Sequence, residues 1–476
     1  MNYQESLDYL YQLGHEVLNA DYRLGRIERL LSELGQPQQA YPSLIIAGTN
    51  GKGSVAAMLD SMLRQAGLHA GLYTSPHLVN VCERIKVAGR DISPGVLADH
   101  ATLVLEAGRR LLTREEITSL PTFFEHVTAA GFSYFRQQRI DLAVLEVGLG
   151  GRLDATNTAS SCLAVLTQID FDHEQILGST LEAIAAEKAA VIKPGATAVI
   201  APQRPEVAEV IQQHCQGCRA APRFVLDDPT QVRIHDIEPD GRITFSYRSR
   251  ERVYGQIRLA LRGYHQIENA VVAIEAAEVL RQGGYPITSE AIIEGLQQVA
   301  WPGRLEWLGE RDEEERPPGS SETGASPHAR TPAPPRPVIL LDGAHNPAGA
   351  RALRRYLEDF GRPPLTLVFG AMRDKRIEDM AATLFPLAQQ VILTRVQDKR
   401  AADLKRLSQV AAAYGNVRLA ATVEEALGHA MAITPAEGMV CITGSLYLVG
   451  AVKEIWPAFT LRPSALSLQS KKQIGV

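Results

Sequence analysis

The sequence predicts an α/β protein built as two doubly wound domains, a larger N-terminal one and a smaller C-terminal one. Three observations predict it. Short runs rich in Val, Ile and Leu recur along the chain, most of them lead into segments of helical period, and a Trp-Pro-Gly-Arg break at Trp301–Arg304 divides them into two series. Near-continuous apolar strands that alternate with helices mark parallel sheets covered on both faces.

Taken in order, helices are expected over Tyr3–Leu18 and Leu24–Leu34, ahead of the first strand at Ser43–Ala47 and its helix at Val55–Ala66. Strands Leu142–Val147, Leu163–Thr167 and Thr197–Ala201 follow, with a helix at Leu181–Ile192. The second series is Val338–Leu341, Leu365–Phe369, Val391–Thr394 and Met439–Thr443. About four strands in roughly 140 residues is the size of one independent Rossmann-like domain. The expected boundaries are therefore 1–300 and 301–462, with a frayed polar tail at 463–476. Gly309–Pro337 turns from a charge run into Pro, Ser, Gly and Ala with almost no bulky apolar residue. Such a segment buries too little surface to offset its ordering entropy, so it is expected to be a disordered insert.

Composition excludes several function classes. With 476 residues, 45% hydrophobic and 22% charged, the chain has the balance of a soluble globular protein and the length for a large core. Lys and Arg number 49 against 54 Asp and Glu, a net charge of -5, so a nucleic-acid partner is not expected and any anion must be held locally. No apolar run approaches the roughly 18 residues of a membrane span, and the N-terminus lacks a signal-peptide pattern. A cytoplasmic protein without a membrane partner is expected. Five scattered cysteines agree with that; Cys215 and Cys218 form a lone CxxC with no second pair to complete a zinc site.

The strongest motif runs from the first strand into a glycine-rich turn and a helix: Gly48, Thr49, Asn50, Gly51, Lys52, Gly53 and Ser54. Glycines let backbone N–H groups approach phosphate oxygens, a helix N-terminus adds a favourable dipole, and a lysine supplies a point charge for the β- and γ-phosphates. The larger domain is thus expected to be of P-loop ATPase type. The strict phosphate-loop pattern is not met, because two residues separate Gly48 from Gly51 and Gly53 intervenes between Lys52 and Ser54.

Two further strand ends carry compatible chemistry. Glu146 closes the strand before Val147-Gly148-Leu149-Gly150-Gly151-Arg152-Leu153-Asp154, which is where ligands bind in open α/β sheets and where a carboxylate meets a nucleotide's Mg²⁺. The next strand ends in Thr167-Gln168-Ile169-Asp170-Phe171-Asp172-His173.

Gly48–Ser54, Leu145–Asn157 and Leu341–Pro347 (LDGAHNP), in this order, resemble folylpolyglutamate synthase, including its bifunctional dihydrofolate synthase form, within the Mur ligase superfamily. The resemblance runs from about Tyr22 to Gly450. It implies an ATP-dependent amide ligase: a pterin-linked carboxylate takes the γ-phosphate as an acyl phosphate, and the amine of L-glutamate attacks it. ATP and Mg²⁺ are the implied cofactors, and folate or dihydropteroate the implied acceptor. Ser75, Glu146 and His173 match the family's magnesium ligands, and Lys188 matches a lysine modified to a carbamate. Asn269 matches a nucleotide contact, Arg304 a phosphate contact, and Asp342 and His345 the motif of the second domain. Pro76 and His77 in a mobile loop, with Phe123, Phe124 and Arg152, are the implied pterin-site residues, although a core role for either Phe is equally open. The insert lengthens a connection near Arg304. A monomer acting on small molecules is expected.

Two other readings compete. A cell-wall Mur ligase would share the loop and the second domain, but only 47 residues precede Gly48, too few for the extra domain such enzymes carry. An ATP-controlled binding protein would use Lys52 but leaves LDGAHNP without a purpose.

Overall fold

Ser43–Ala47 is buried at every position, as a strand covered on both faces must be, and it forms the centre of the larger sheet. The computed structural model describes residues 1–14, 24–308 and 336–461. The insert expected at 309–337 falls, but for its last two residues, outside the described residues, as does the tail. Backbone contacts divide the chain into two units, the first Met1–Trp301 and the second beginning at Pro302.

In the first unit the strands are β1 (Ser43–Ala47), β2 (Ala70–Tyr73), β3 (Ile85–Val87), β4 (Arg90–Asp91), β5 (Leu142–Glu146), β6 (Ser161–Leu166), β7 (Thr197–Ile200) and β8 (Ala221–Phe224). Their order is β4-β3-β2-β5-β1-β6-β7-β8. Pairing is parallel from β2 to β8, and β3 and β4 add an antiparallel edge. The chain enters at the centre and later strands lie on both sides of it. The carboxyl end of β1 therefore sits between those of β5 and β6, a topological switch point. A separate antiparallel sheet follows, β9 (Val232–Ile237), β10 (Ile243–Arg248) and β11 (Val253–Arg258), ordered β11-β10-β9.

Helix Lys52–Gln65 is buried over Ser54–Leu63 on every face, because it lies between the sheet and helices His265–Gln282 and Ser289–Gln298. The main core joins these helices to Leu44, Val144, Val165 and the inner face of β10. Buried acids pin the small sheet to helix His265–Gln282: Tyr247 donates to Glu275 at 2.7 Å, Tyr254 to Glu278, and Arg223 on β8 pairs with Glu275 at 2.9 Å.

The second unit holds β12 (Glu306–Leu308), β13 (Val338–Leu341), β14 (Leu365–Phe369), β15 (Gln390–Leu393), β16 (Val417–Leu419) and β17 (Met439–Thr443), in the order β12-β13-β17-β14-β15-β16. All pairs are parallel except β12–β13. Both units are thus the doubly wound α/β architecture that the sequence predicts. Strands lie at each of the apolar runs, and six further strands, β2, β3, β4, β8, β12 and β16, join the two main sheets beside the separate three-stranded one.

The N-terminal helix is Tyr3–Gln12, capped by Asn2 and Glu5; residues 15–23, within the longer helix expected here, lie outside the described residues. Cys215 and Cys218 lie one turn apart on helix Pro205–Cys218, and both are unbridged.

One core group carries a pH consequence. His126 is fully buried on helix Phe123–Gln138 and its Nε2 meets the Ala101 carbonyl at 2.9 Å. Burial pushes its pKa down to about 4, so the folded protein holds it neutral. A depressed histidine contributes stability that is complete above the unfolded value near 6.5 and is lost as the pH falls towards 4. Stability at pH 5 should lie about 2 kcal/mol below that at pH 7.5 from this group. Thermal melting across that range checks it, and His126→Gln should flatten the slope.

Candidate functional site

β1 ends and the chain turns sharply. Gly48 and Gly51 have φ of 148° and 89°, the left-handed side that glycine alone adopts without strain. A side chain at Gly48 would strike Thr167, and one at Gly51 would strike the Asn269 amide. Helix Lys52–Gln65 then begins with Gly51 as its N-cap and no side-chain cap. Its first-turn amides are left for a ligand, which is how such a turn holds an anion.

The loop is sewn to the end of β6. Thr49 and Asn50 donate backbone N–H groups to the Gln168 carbonyl at 2.8 and 3.2 Å. The Thr49 hydroxyl donates to the Asp170 carbonyl at 2.9 Å and accepts from the Asp170 amide at 3.1 Å. On the other side Gln266 donates to the Ser54 hydroxyl at 3.3 Å and accepts from Asn269 at 2.9 Å. Thr49 and Ser54 are buried, so their side chains brace the loop, and the first turns of helix His265–Gln282 reach it through Gln266 as well as Asn269.

Two lysines converge on one carbonyl. Lys52 Nζ donates to Gly48 O at 3.0 Å and Thr49 O at 3.2 Å. Lys188, near the end of helix Leu181–Ala189 and only 5% exposed, donates to Gly48 O at 2.8 Å. Nothing in the local sequence of Lys188 signals burial; the fold brings it in from 140 residues away.

Glu146 closes β5 beside β1, is 5% exposed, and its Oε2 accepts the Ser75 backbone N–H at 3.0 Å. Ser75 and Glu146 are thus brought together across the neighbouring ends of β2 and β5. The glycine loop after Glu146 is closed by Asp154, whose carboxylate accepts from Gly148 and Leu149 amides at 3.0 and 2.9 Å and from Thr156. His173 lies on the loop after β6, half-buried and left-handed at φ 51°, with Nε2 3.9 Å from Asp172. Among the described residues no three His, Cys, Asp or Glu side chains converge closely enough to hold a metal unaided. Mg²⁺ asks for less: it keeps waters and takes one or two carboxylates plus phosphate oxygens. A buried, acceptor-only carboxylate on Glu146, with Ser75 joined to it through its backbone N–H, fits that demand.

Arg152 has a partner within the chain. Its guanidinium lies over the end of helix Leu181–Ala189, pairing with Glu187 at 2.8 Å, and its amide donates to Glu187 O at 2.9 Å. It ties the glycine loop to the turn that carries Lys188. Of the two roles open to Phe123 its surroundings fit the core one: it is 4% exposed, stacks with Tyr11 and sits under the Arg84 guanidinium. Phe124 is partly exposed. Its ring edge fills the space where a side chain on Gly148 would lie and meets Tyr73 edge-on. Pro76 follows a cis peptide bond, and His77 Nδ1 accepts from Arg84 Nε at 2.8 Å. Burial and the adjacent Arg84 push His77 down to about 3, so it is a neutral acceptor at physiological pH.

In the second unit Asp342 ends β13. Its carboxylate accepts from the Leu305 amide at 3.0 Å and the Ala344 amide at 2.9 Å, and burial raises its pKa against the pull of nearby Arg304. Arg304 donates to Gly303 O at 3.1 Å, and its guanidinium covers Gly343. His345 Nδ1 contacts Gly343 O at 2.8 Å, while Asn346 caps helix Pro347–Phe360. Arg304, Asp342 and His345 thus share one turn, with Asp342 as its brace.

The Mur ligase middle domain matches residues 46–277, and the Mur ligase glutamate ligase domain matches residues 330–446. The dihydrofolate synthase/folylpolyglutamate synthase of Bacillus subtilis is 34% identical over 435 residues, covering 90% of this chain and 94% of that protein. The chain belongs to the folylpolyglutamate synthase/dihydrofolate synthase family of Mur ligases. Solved structures agree. Mycobacterium tuberculosis folylpolyglutamate synthase complexed with ADP superposes with a TM-score of 0.83 at 30% identity, over 95% of this chain and 98% of that one. Escherichia coli FolC in complex with DHPP and ADP gives 0.79 at 27% identity, over 98% and 99%. Members of this family are ATP-dependent ligases. No helix among the described residues is long and apolar enough to cross a membrane.

Proposed function

We propose that this family member joins L-glutamate to folates, and also to dihydropteroate, at the expense of ATP. The observation that carries the reading is the convergence of Lys52 and Lys188 on the Gly48 carbonyl, beside uncapped helix amides and the Glu146 carboxylate. Cations and amides gathered on one turn suit phosphoryl transfer, which needs positioning and neutralised charge more than covalent chemistry. The B. subtilis relative's double name and the ADP and DHPP of the E. coli structure support the choice of substrates.

In this reading residues 1–300 bind ATP and the acceptor, and 301–462 form the ligase domain. The loop amides of Gly51–Ser54 and Lys52 grip the phosphates; Asn269, through Gln266, keeps the loop in place. Glu146, Ser75 and His173 would hold Mg²⁺, which when bound screens the charge of the transferring phosphoryl group. Arg304 offers a phosphate a planar, always-charged fork, and His345 lies on the same turn of the second unit. The acceptor's carboxylate oxygen attacks the γ-phosphorus and ADP leaves; the glutamate nitrogen then attacks the acyl carbon, and phosphate leaves as the amide forms. Pro76, neutral His77 and the exposed part of Phe124 are the proposed pterin contacts. Because every residue used lies on one chain, the reading needs only a cytoplasmic monomer, which light scattering checks.

The test offers purified protein ATP, Mg²⁺ and glutamate with dihydropteroate or tetrahydrofolate, and identifies products by mass. ADP release that requires both glutamate and a pterin acceptor, with a gain of one glutamyl unit on each acceptor, is expected. ADP release independent of glutamate would leave the ATP-controlled binding protein as the better reading.

A further inference from the structure

Gly53 breaks the usual phosphate-loop spacing, and its backbone does not explain why. Its φ is outside the left-handed range that the other two loop glycines adopt, and within a helix glycine is less favourable than alanine. The reason lies in a neighbour. A Cβ built on Gly53 would stand 2.7 Å from Cζ2, 3.0 Å from Nε1 and 3.1 Å from Cε2 of Trp301, all on one edge of the indole. The 2.7 Å contact is shorter than real Cβ atoms make and the other two are tight, and an indole packed against a core does not swing aside as a lysine tip does.

Trp301 is held. It packs against the main core that underlies helix Lys52–Gln65. Its Nε1 is buried without a hydrogen-bond partner, an unusual state for an indole N–H. This polar edge is the one turned to Gly53, and Trp301 is the last residue of the first unit.

We infer that Trp301 is a positioning residue for the phosphate loop: its indole edge occupies the space of a residue-53 side chain and sets the Lys52-Gly53-Ser54 turn where the loop grips nucleotide phosphate. The inference rests on the nucleotide reading of this loop. The rival cause is the phosphate itself, which would exclude a side chain at 53 whatever stands at 301.

A double-mutant cycle in the full chain separates the two. ADP affinity, and the ATP KM and kcat of glutamate-dependent turnover, are measured for wild type, Gly53→Ala, Trp301→Ala and the double variant, with Trp301→Phe as a second background that keeps a packed ring. Gly53→Ala is expected to weaken ADP about thirtyfold in wild type and less than about threefold in either Trp301 background, a coupling within the range for residues in contact. Trp301→Ala alone should raise the ATP KM more than it lowers kcat. A Gly53→Ala chain that melts early only when Trp301 is present supports the same contact. An equal cost of Gly53→Ala in all backgrounds overturns the inference and leaves the nucleotide reading standing. Wild-type protein that binds no ADP overturns both.

Discussion

Lys52→Ala is expected to lower glutamate-dependent turnover at saturating ATP about a hundredfold, close to 3 kcal/mol of transition-state stabilisation. The lysine is at the first position of helix Lys52–Gln65, partly exposed, and its amine reaches the Gly48 and Thr49 carbonyls of the loop it crosses. A phosphate placed against the helix amides would meet that amine as its nearest mobile cation. The side chain takes no part in the core, so the melting temperature should stay within a few degrees while activity is lost. Lys52→Arg keeps the charge but brings a wider, planar head to a turn built for a point charge, and should recover only part of the rate. Near-normal turnover of Lys52→Ala at saturating ATP would remove this loop from the chemistry.

How far the sequence revealed the site follows from what each residue has to do. Gly48 and Gly51 were legible because a left-handed turn after an apolar strand leaves a compositional mark, and Lys52 because it stands in a loop where a charge needs a reason. The strands Ser43–Ala47, Leu365–Phe369 and Met439–Thr443 were legible to the residue, since burial on both faces removes polar residues from the run. β8, with Pro222 and Arg223 in a four-residue edge strand, and β9, exposed along nearly its whole length, carry no such mark. Their side chains face water or a single neighbour. Thr167 and Gln266 were legible only as members of a run and not as braces, and Trp301 not as part of the site at all, because each acts by filling or bracing space against a loop more than 110 residues away, and nothing local distinguishes such a residue from an ordinary core or cap position. Phe123 shows why residue type alone left two roles open: an aromatic ring suits a flat ligand and a core equally, and only its burial against Tyr11 and Arg84 favours the core.

Lys188→Ala should abolish turnover more completely than Lys52→Ala. The fold buries the Lys188 side chain and delivers its amine to Gly48 O at 2.8 Å, against the backbone of the phosphate loop and one residue past Glu187, which Arg152 holds in place. Removing it would both loosen that carbonyl and leave an empty channel beside the loop. The carbamate reading demands more than presence. The ammonium must first lose a proton; the neutral amine then forms a bond to the carbon of CO₂ and releases a second proton, so that over both steps a cation becomes an anion carrying the two CO₂ oxygens, the hard type that Mg²⁺ prefers. The nitrogen keeps one N–H, so the bond to Gly48 O survives the change while the new oxygens extend beyond it. Wild-type activity should therefore fall in CO₂-depleted buffer and recover with bicarbonate, and Lys188→Ala, given a short-chain carboxylate as an additive, should regain a fraction of the rate. Lys188→Arg, which keeps a donor for Gly48 O but cannot be carbamoylated under these conditions, separates the two roles: it should restore the melting temperature and not the turnover. An intact-protein mass showing unmodified Lys188 in the active, magnesium-loaded enzyme would leave the lysine as a plain brace of the phosphate loop, and Lys188→Arg would then be expected to work.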